Sequence, residues 1–245
     1  MKVAAMLIAG GRGARMESDL PKTLHELCGE PLLGWTLNTL RGLDLKQKIA
    51  IVGFNAEVVV DRFNGCDIEW VVQSEPSGNG NALALGLSRV NNCVDTILTM
   101  YPDSSMLYKP KTIEEFVLSH NNSGAVVSFI SVEMNHAAPK YKIISEGNQF
   151  IKFEPLSDKE KGLSKHLFTG CACFKKEWLL ERVNNIPIKE NETEISLPTL
   201  FDMAREENEK VNLFKLKNSD EWGNVNTREE LRELEIQLKG RKEIW

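Results

Sequence analysis

Short apolar runs and stretches of helical spacing take turns along the first half of this chain, and that alternation narrows its possible folds more than any other feature. Residues 3–9, 49–54, 68–72 and 96–101 read as strands, and residues 32–43, 56–63, 81–90 and 112–120 as helices. Strands alternating with helices through short turns make a parallel sheet covered on both faces. From residue 125 the rhythm changes: residues 125–132, 141–144 and 149–153 read as strands, with Glu146, Gly147 and Asn148 supplying a hairpin turn. Residues 167–174 and 211–216 return to strand character, while residues 177–183, 197–207 and 227–238 read as helices. Thr227 and Glu230 form a capping box for the last of these. The expected fold is α/β, a Rossmann-like mixed, mainly parallel sheet flanked by helices, with a small antiparallel hairpin insertion. A chain of 245 residues, 42% of them hydrophobic, supports one domain spanning residues 1–245.

Charge and cysteine usage exclude several classes of function. The net charge of −5 leaves no basic stripe to neutralise a phosphate backbone, so no nucleic-acid partner is expected. Residues 1–9 are too short for a membrane span and lack a cleavage site, so the chain reads as cytoplasmic with no membrane partner. Cys28, Cys66, Cys93, Cys171 and Cys173 are odd in number and scattered, which fits a reducing compartment. Cys171 and Cys173 would share one strand face without a second pair of ligands, and His25, His120, His136 and His166 have no metal spacing.

The most informative stretch follows the first strand: Ala9-Gly10-Gly11-Arg12-Gly13-Ala14-Arg15-Met16, then Leu20-Pro21-Lys22. Glycines let the backbone approach a ligand and turn successive N–H groups into a concavity, and Arg15 and Lys22 add charge suited to a triphosphate. The P-loop spacing is absent, and Met16 stands where a dinucleotide fingerprint needs its third glycine. A simple strand-to-helix connection takes about two to six residues, whereas this one runs from Gly10 to Pro31. Further along, Gln73 ends a strand ahead of Gly78 and Asn79, and an amide that both donates and accepts suits the edge of a base. Asp103 follows an apolar strand, at the end of a parallel sheet where open α/β folds place ligands. Asn226 precedes the last helix.

Ile8-Ala9-Gly10-Gly11-Arg12-Gly13-Ala14-Arg15-Met16, followed by Leu20-Pro21-Lys22-Thr23-Leu24-His25 and Gly29-Glu30-Pro31-Leu32-Leu33, resembles the signature of the sugar nucleotidyltransferase (NDP-sugar pyrophosphorylase) family, most closely its uridylyltransferase domains. The likeness is strongest over residues 1–105 and returns near residue 225. It implies magnesium-dependent transfer of an NMP group from a nucleoside triphosphate, UTP or CTP, to a sugar 1-phosphate with release of pyrophosphate. Arg15 would bind the β and γ phosphates, and Lys22 would bridge the α-phosphate and the acceptor phosphate. Ile8, Ala9, Gly10, Gly11 and Gly13 would line the nucleotide, with Gln73, Gly78 and Asn79 toward the base. Asp103 and Asn226 would hold Mg2+, and Tyr141, Glu154, Thr169 and Gly170 would meet the acceptor. Residues 1–122 would then form a nucleotide-binding half, residues 123–226 an acceptor-binding half and residues 227–245 a C-terminal helix. A second, acetyl-transferring activity that accompanies such domains in some relatives is not expected here.

Four positions depart from the family pattern. Asn79 replaces a common threonine, Pro102 a glycine and Phe168 the asparagine of an Asn-Thr-Gly motif, and Lys142 stands where the uridylyltransferases have glycine. These changes remove a polar sugar contact and add a cation. A cytidylyltransferase for a non-sugar phosphorylated acceptor therefore stays open beside the sugar reading, as does a non-catalytic nucleotide-binding regulatory module.

Overall fold

Seven consecutive buried residues make β1 (Val3–Ala9), the strand around which the sheet is arranged. Ala4, Met6 and Ile8 enter one hydrophobic core, and Val3, Ala5, Leu7 and Ala9 the other. That alternation is the period-two geometry of a strand covered on both faces. The protein is described by a computed structural model over residues 2–74, 78–134, 141–147, 149–155, 165–186 and 197–240. After β1 come β2 (Glu26–Leu27), β3 (Glu30–Pro31), α1 (Leu32–Leu40), β4 (Gln47–Val52), α2 (Ala56–Arg62), β5 (Glu69–Val72), α3 (Gly78–Leu87) and β6 (Thr96–Met100). The remainder comprises α4 (Pro102–Ser105), α5 (Pro110–Ser123), β7 (Val127–Met134), β8 (Tyr141–Glu146), β9 (Gln149–Pro155), β10 (Lys165–Lys175), α6 (Lys176–Arg182), α7 (Leu197–Glu206), β11 (Val211–Lys215) and α8 (Arg228–Gly240).

Nine strands form one sheet in the order β5-β4-β1-β6-β10-β7-β11-β9-β8. The pairs β5–β4, β4–β1, β1–β6 and β7–β11 are parallel. Strands β10 and β9 run against their neighbours. The α/β, mainly parallel architecture expected from the sequence is thus the one observed. The expected hairpin forms as β8–β9 and, through the pairing of Asn212 with Gln149, continues the main sheet at its edge. Its turn residue Asn148 lies outside the described residues. A second, two-stranded sheet, β2–β3, was not foreseen; its strands are two residues long, too short to carry a readable alternation.

Two local differences from the sequence reading bear on the site. Helix α1 stops at Leu40, where Arg41 N–H bonds back to the Asn38 carbonyl. Strand β6 stops at Met100, and Pro102 opens the single turn α4. Proline is suited to a first helical position because its missing N–H has no partner there. Ser104 and Ser105 both donate their N–H to the Tyr101 carbonyl, which places Asp103 inside that turn. A third core, built from Met16, Leu27, Leu32, Met106, Leu107, Val225, Leu234 and Leu238, fastens α8 beneath the glycine loop. Among the described residues no helix is long and apolar enough to cross a membrane.

Candidate active site

Beyond the carboxyl ends of β1 and β6 lies a cleft of about 340 Å³. The neighbours of β1 in the sheet are β4 and β6, on opposite sides, so this is the switch point at which open α/β sheets leave a crevice. Ile8, Ala9, Gly11, Lys22, Asn79 and Asp103 line one part of it, and Tyr101, Pro102, Phe168, Thr169, Gly170 and Trp222 another.

The glycine loop is shaped by left-handed backbone at Gly13, φ 65°, before a single 3-10 turn, Ala14–Met16. A Cβ on Gly13 would lie 2.8 Å from Cβ of Lys22. Glycine therefore serves twice, admitting the positive φ and letting the Lys22 stem run against the loop. Lys22 is only 9% exposed, yet its ammonium has partners: it donates to Asp103 Oδ2 and, at 3.0 Å, to Asn226 Oδ1. Arg15 Nη2 donates to the same Asn226 oxygen at 3.0 Å. Two oxygens thus converge on one cationic atom. Backbone bonding fixes them, since Val225 N–H donates to the Asp103 carbonyl at 2.9 Å. The predicted capping box is present: Glu230 Oε2 accepts from Asn226 N–H at 2.5 Å and Thr227 N–H at 3.3 Å, and Thr227 Oγ1 accepts from Glu230 N–H at 3.1 Å. Arg12 points elsewhere, over the Phe54 ring at 5.1 Å from its centroid.

On the base side, Gln73 is 9% exposed and its Nε2 donates to the Gly78 carbonyl at 3.2 Å. Its carboxamide oxygen sits 3.2 Å from where a Cβ on Gly10 would be. Gly10, Gln73 and Gly78 are therefore neighbours, although residues 75–77 of that segment lie outside the described residues.

The aromatic part of the cleft depends on an irregularity in β10. Its register against β7 shifts between Phe168 and Ala172. Such bulges re-aim side chains and free backbone groups. Here Thr169 Oγ1 donates to the Ile130 carbonyl at 3.1 Å, and the Thr169 carbonyl accepts from Trp222 Nε1 at 3.1 Å. Gly170 has φ 85°, and a Cβ there would meet Ser104 Oγ at 2.5 Å and Tyr101 Cδ2 at 2.8 Å. Phe168 is braced edge-on by Phe129 and Phe201, with centroids 5.7 Å and 5.1 Å away. Burial, with Asp103 nearby, pushes the Tyr101 hydroxyl pKa well above its ordinary value.

The predicted acceptor residues divide. Thr169 and Gly170 line the cleft, whereas Glu154 is not among its lining residues. The Glu154 carboxylate pairs with Lys142 at 2.9 Å and Lys152 at 3.0 Å, and hydrogen bonds from these lysines hold its pKa below the ordinary value. Tyr141 is the first residue of β8, and its side chain lies outside the described residues. Tyr101, Thr23, Ser104, Trp222 and Asn224 also line the cleft without having been singled out. Of these, Thr23 stands in the Leu20–His25 signature next to Lys22, and Asn224 stands two positions before Asn226.

Comparison with known proteins agrees with this geometry. Residues 5–171 match the MobA-like NTP transferase domain family. The bifunctional protein GlmU of Pelotomaculum thermopropionicum is 27% identical over 245 residues, covering 98% of this chain and 53% of that protein. The chain thus spans about half the length of the curated relatives it matches. Among solved structures, the inositol-1-phosphate CTP transferase from T. maritima has a TM-score of 0.73 at 17% identity, covering 98% of each chain. HddC from Yersinia pseudotuberculosis, complexed with GMP-PN, has a TM-score of 0.72 at 14% identity, covering 96% of this chain and 98% of that one. These two likenesses concern the fold, whereas the family match extends over more than half of the sequence; the chain belongs to the MobA-like NTP transferase domain family and is a nucleotidyltransferase.

Proposed function

We propose that this chain transfers an NMP group from a nucleoside triphosphate, UTP or CTP by preference, to a sugar 1-phosphate, with release of pyrophosphate. One observation carries the reading: Arg15, Lys22, Asp103 and Asn226, drawn from remote parts of the chain, form one hydrogen-bonded cluster, in which Lys22 and Asp103 line the cleft. In the reaction, an acceptor phosphate oxygen attacks the α-phosphorus in line, and the bond from that phosphorus to the oxygen bridging it to the β-phosphate breaks. The acceptor is already an anionic nucleophile, so the obstacle is bringing two polyanions together rather than removing a proton. Lys22 is assigned to the α-phosphate and the acceptor phosphate, and Arg15 to the β and γ phosphates. Ile8, Ala9, Gly10, Gly11 and Gly13 follow the nucleotide, Gln73, Gly78 and Asn79 meet its base, and Thr169 and Gly170 face the acceptor, with Tyr141 and Glu154 assigned to it by resemblance.

Asp103 and Asn226 suit a magnesium ion, because their oxygens already converge on one positive charge, the Lys22 ammonium. Hard oxygen donors of this kind leave room for water and phosphate oxygens around such an ion. When bound it would neutralise phosphate charge and fix the geometry of attack. In this reading, residues 1–122 form the nucleotide side, residues 123–226 the acceptor side, and the segment from residue 227 closes the site from behind.

A second acceptor class is favoured by a specific observation. Phe168 presents an aromatic ring to the cleft, and Glu154 is engaged by two lysines. These features also suit a phosphorylated alcohol as acceptor, the substrate class of a cytidylyltransferase for a non-sugar acceptor. The test of both readings is pyrophosphate release with magnesium, using UTP, CTP, dTTP, ATP and GTP against sugar 1-phosphates and phosphorylated alcohols. Release that requires one triphosphate and one acceptor is expected. Nucleotide binding with no release across the panel would favour a regulatory module.

A further inference from the structure

The glycine loop has little structure of its own. Its 3-10 turn is closed by two backbone bonds, Met16 N–H to the Gly13 carbonyl at 2.8 Å and Glu17 N–H to the Ala14 carbonyl at 3.1 Å. Glu17 then takes left-handed backbone, φ 48°, which is unfavourable for a side chain of its size. Such a turn ends with carbonyls that lack partners within it. The first residue of α8 supplies them: Arg228 Nε donates to the Met16 carbonyl at 2.8 Å and Arg228 Nη2 to the Glu17 carbonyl at 3.0 Å.

The position of Arg228 is costly for the helix that carries it. A cation at a helix N-terminus opposes the macrodipole, and Glu229 and Glu230 in the same first turn are what that dipole favours. Stability of α8 alone therefore gives no reason for arginine there. Its fork reaches two successive carbonyls, which a single ammonium does not reproduce. Arg228 also stands two residues after Asn226, and Met16 one residue after Arg15. The same fork thus couples the segment bearing Asn226 to the turn bearing Arg15, beside the bond between those two side chains.

We infer that Arg228 is a positioning residue that holds the Ala14–Met16 turn, and with it the Arg15 guanidinium, at the place where the β and γ phosphates bind. The inference rests on the triphosphate role proposed for Arg15. Arg228 itself touches no substrate.

The test measures binding of UTP against UMP, and CTP against CMP, with magnesium, in the wild type and in Arg228→Gln, Arg228→Lys and Arg15→Ala, together with kcat and KM. Loss of hydrogen bonds from a charged group corresponds to an effect of about 10-fold or more. Arg228→Gln is expected to weaken triphosphate binding and raise triphosphate KM by about that factor, leaving monophosphate binding unchanged. Arg228→Lys is expected to recover less than half of the loss on a logarithmic scale, because it restores charge without the fork. Equal losses for triphosphate and monophosphate, no loss in either, or full recovery in Arg228→Lys would each overturn the inference. Arg15→Ala separates the two levels: if it leaves triphosphate binding intact, the role of Arg15 fails first. If it weakens binding while Arg228→Gln does not, only the positioning role fails.

Discussion

The two sides of the cleft are built by different means. On the phosphate side, Lys22 and Arg15 meet Asp103 and Asn226, and every charge is held by hydrogen bonds from a turn or a capped helix. On the other side, Tyr101, Phe168 and Trp222 present rings: the register shift in β10 sets Thr169 and Gly170 against Trp222 and Tyr101, and Phe168 packs against Phe129 and Phe201. A charged side of this kind acts on any phosphate that enters, since phosphate groups are common to all such substrates. Shape-matched rings discriminate among acceptors, because their contribution depends on the area they cover. Under the proposed function, the contrast would assign rate to the first side and choice of acceptor to the second.

The largest effect that could break this division is at Lys22. Removing a preorganised charge contact costs about 10²- to 10³-fold in kcat, so Lys22→Ala should lose that much turnover while remaining folded by circular dichroism. Turnover like that of the wild type would remove Lys22 from the chemistry.

The next effect separates the fold from both sides. His120 is 3% exposed, its Nδ1 lies 2.7 Å from Ser128 Oγ, and burial lowers its pKa to about 4. In the unfolded chain the same group takes up a proton near the ordinary 6.5. Its contribution to stability is therefore intact above about pH 6.5 and declines as the pH falls toward 4, by up to about 1.4 kcal/mol per pH unit. Denaturant melts should show that decline within this window, and a reduced one in His120→Gln. Identical pH slopes in the two proteins would show that the ring is protonated without cost.

A smaller change sharpens the aromatic side. Phe168→Leu keeps apolar volume and loses the ring, and Phe168→Asn restores the residue that the sugar nucleotidyltransferases carry there. Each should shift acceptor KM by about 10-fold and leave triphosphate KM unchanged. A shift in triphosphate KM would dissolve the distinction between the two sides. The smallest effect is expected at Glu154, whose carboxylate already bridges Lys142 and Lys152. Solvent screens such pairs, so Glu154→Gln should change acceptor KM by less than about threefold. A large rise would give the carboxylate a direct acceptor contact.

Much of the phosphate side was legible beforehand because its signals are local. The bounds of β1 follow from an unbroken apolar run, and the capping box at Thr227 and Glu230 needs only a spacing of three residues. Asp103 was expected at a strand end and occupies the short turn that Pro102 begins. The aromatic side was far less legible. Tyr101 and Trp222 look like ordinary core residues in the sequence, and nothing local at residues 168–172 announces a register shift except Gly170. The engagement of Glu154 is likewise invisible until β8 and β9 pair and set Lys142 opposite it.

By itself the sequence determined the order of the longer strands and helices, the glycine turn with its cations and the family to which they correspond. Hydrophobic period, capping and turn chemistry act over a few residues, so they are written in the chain directly. The tertiary structure alone decided which charges meet. Arg15 and Asn226 are 211 positions apart, and Lys22 and Asn226 204 apart. Such pairs form only when the order of strands in the sheet returns α8 beneath the glycine loop. It likewise decided that the late hairpin continues the main sheet and that Arg228 grips the Met16 and Glu17 carbonyls, because a backbone carbonyl accepts from whichever donor packing brings to it.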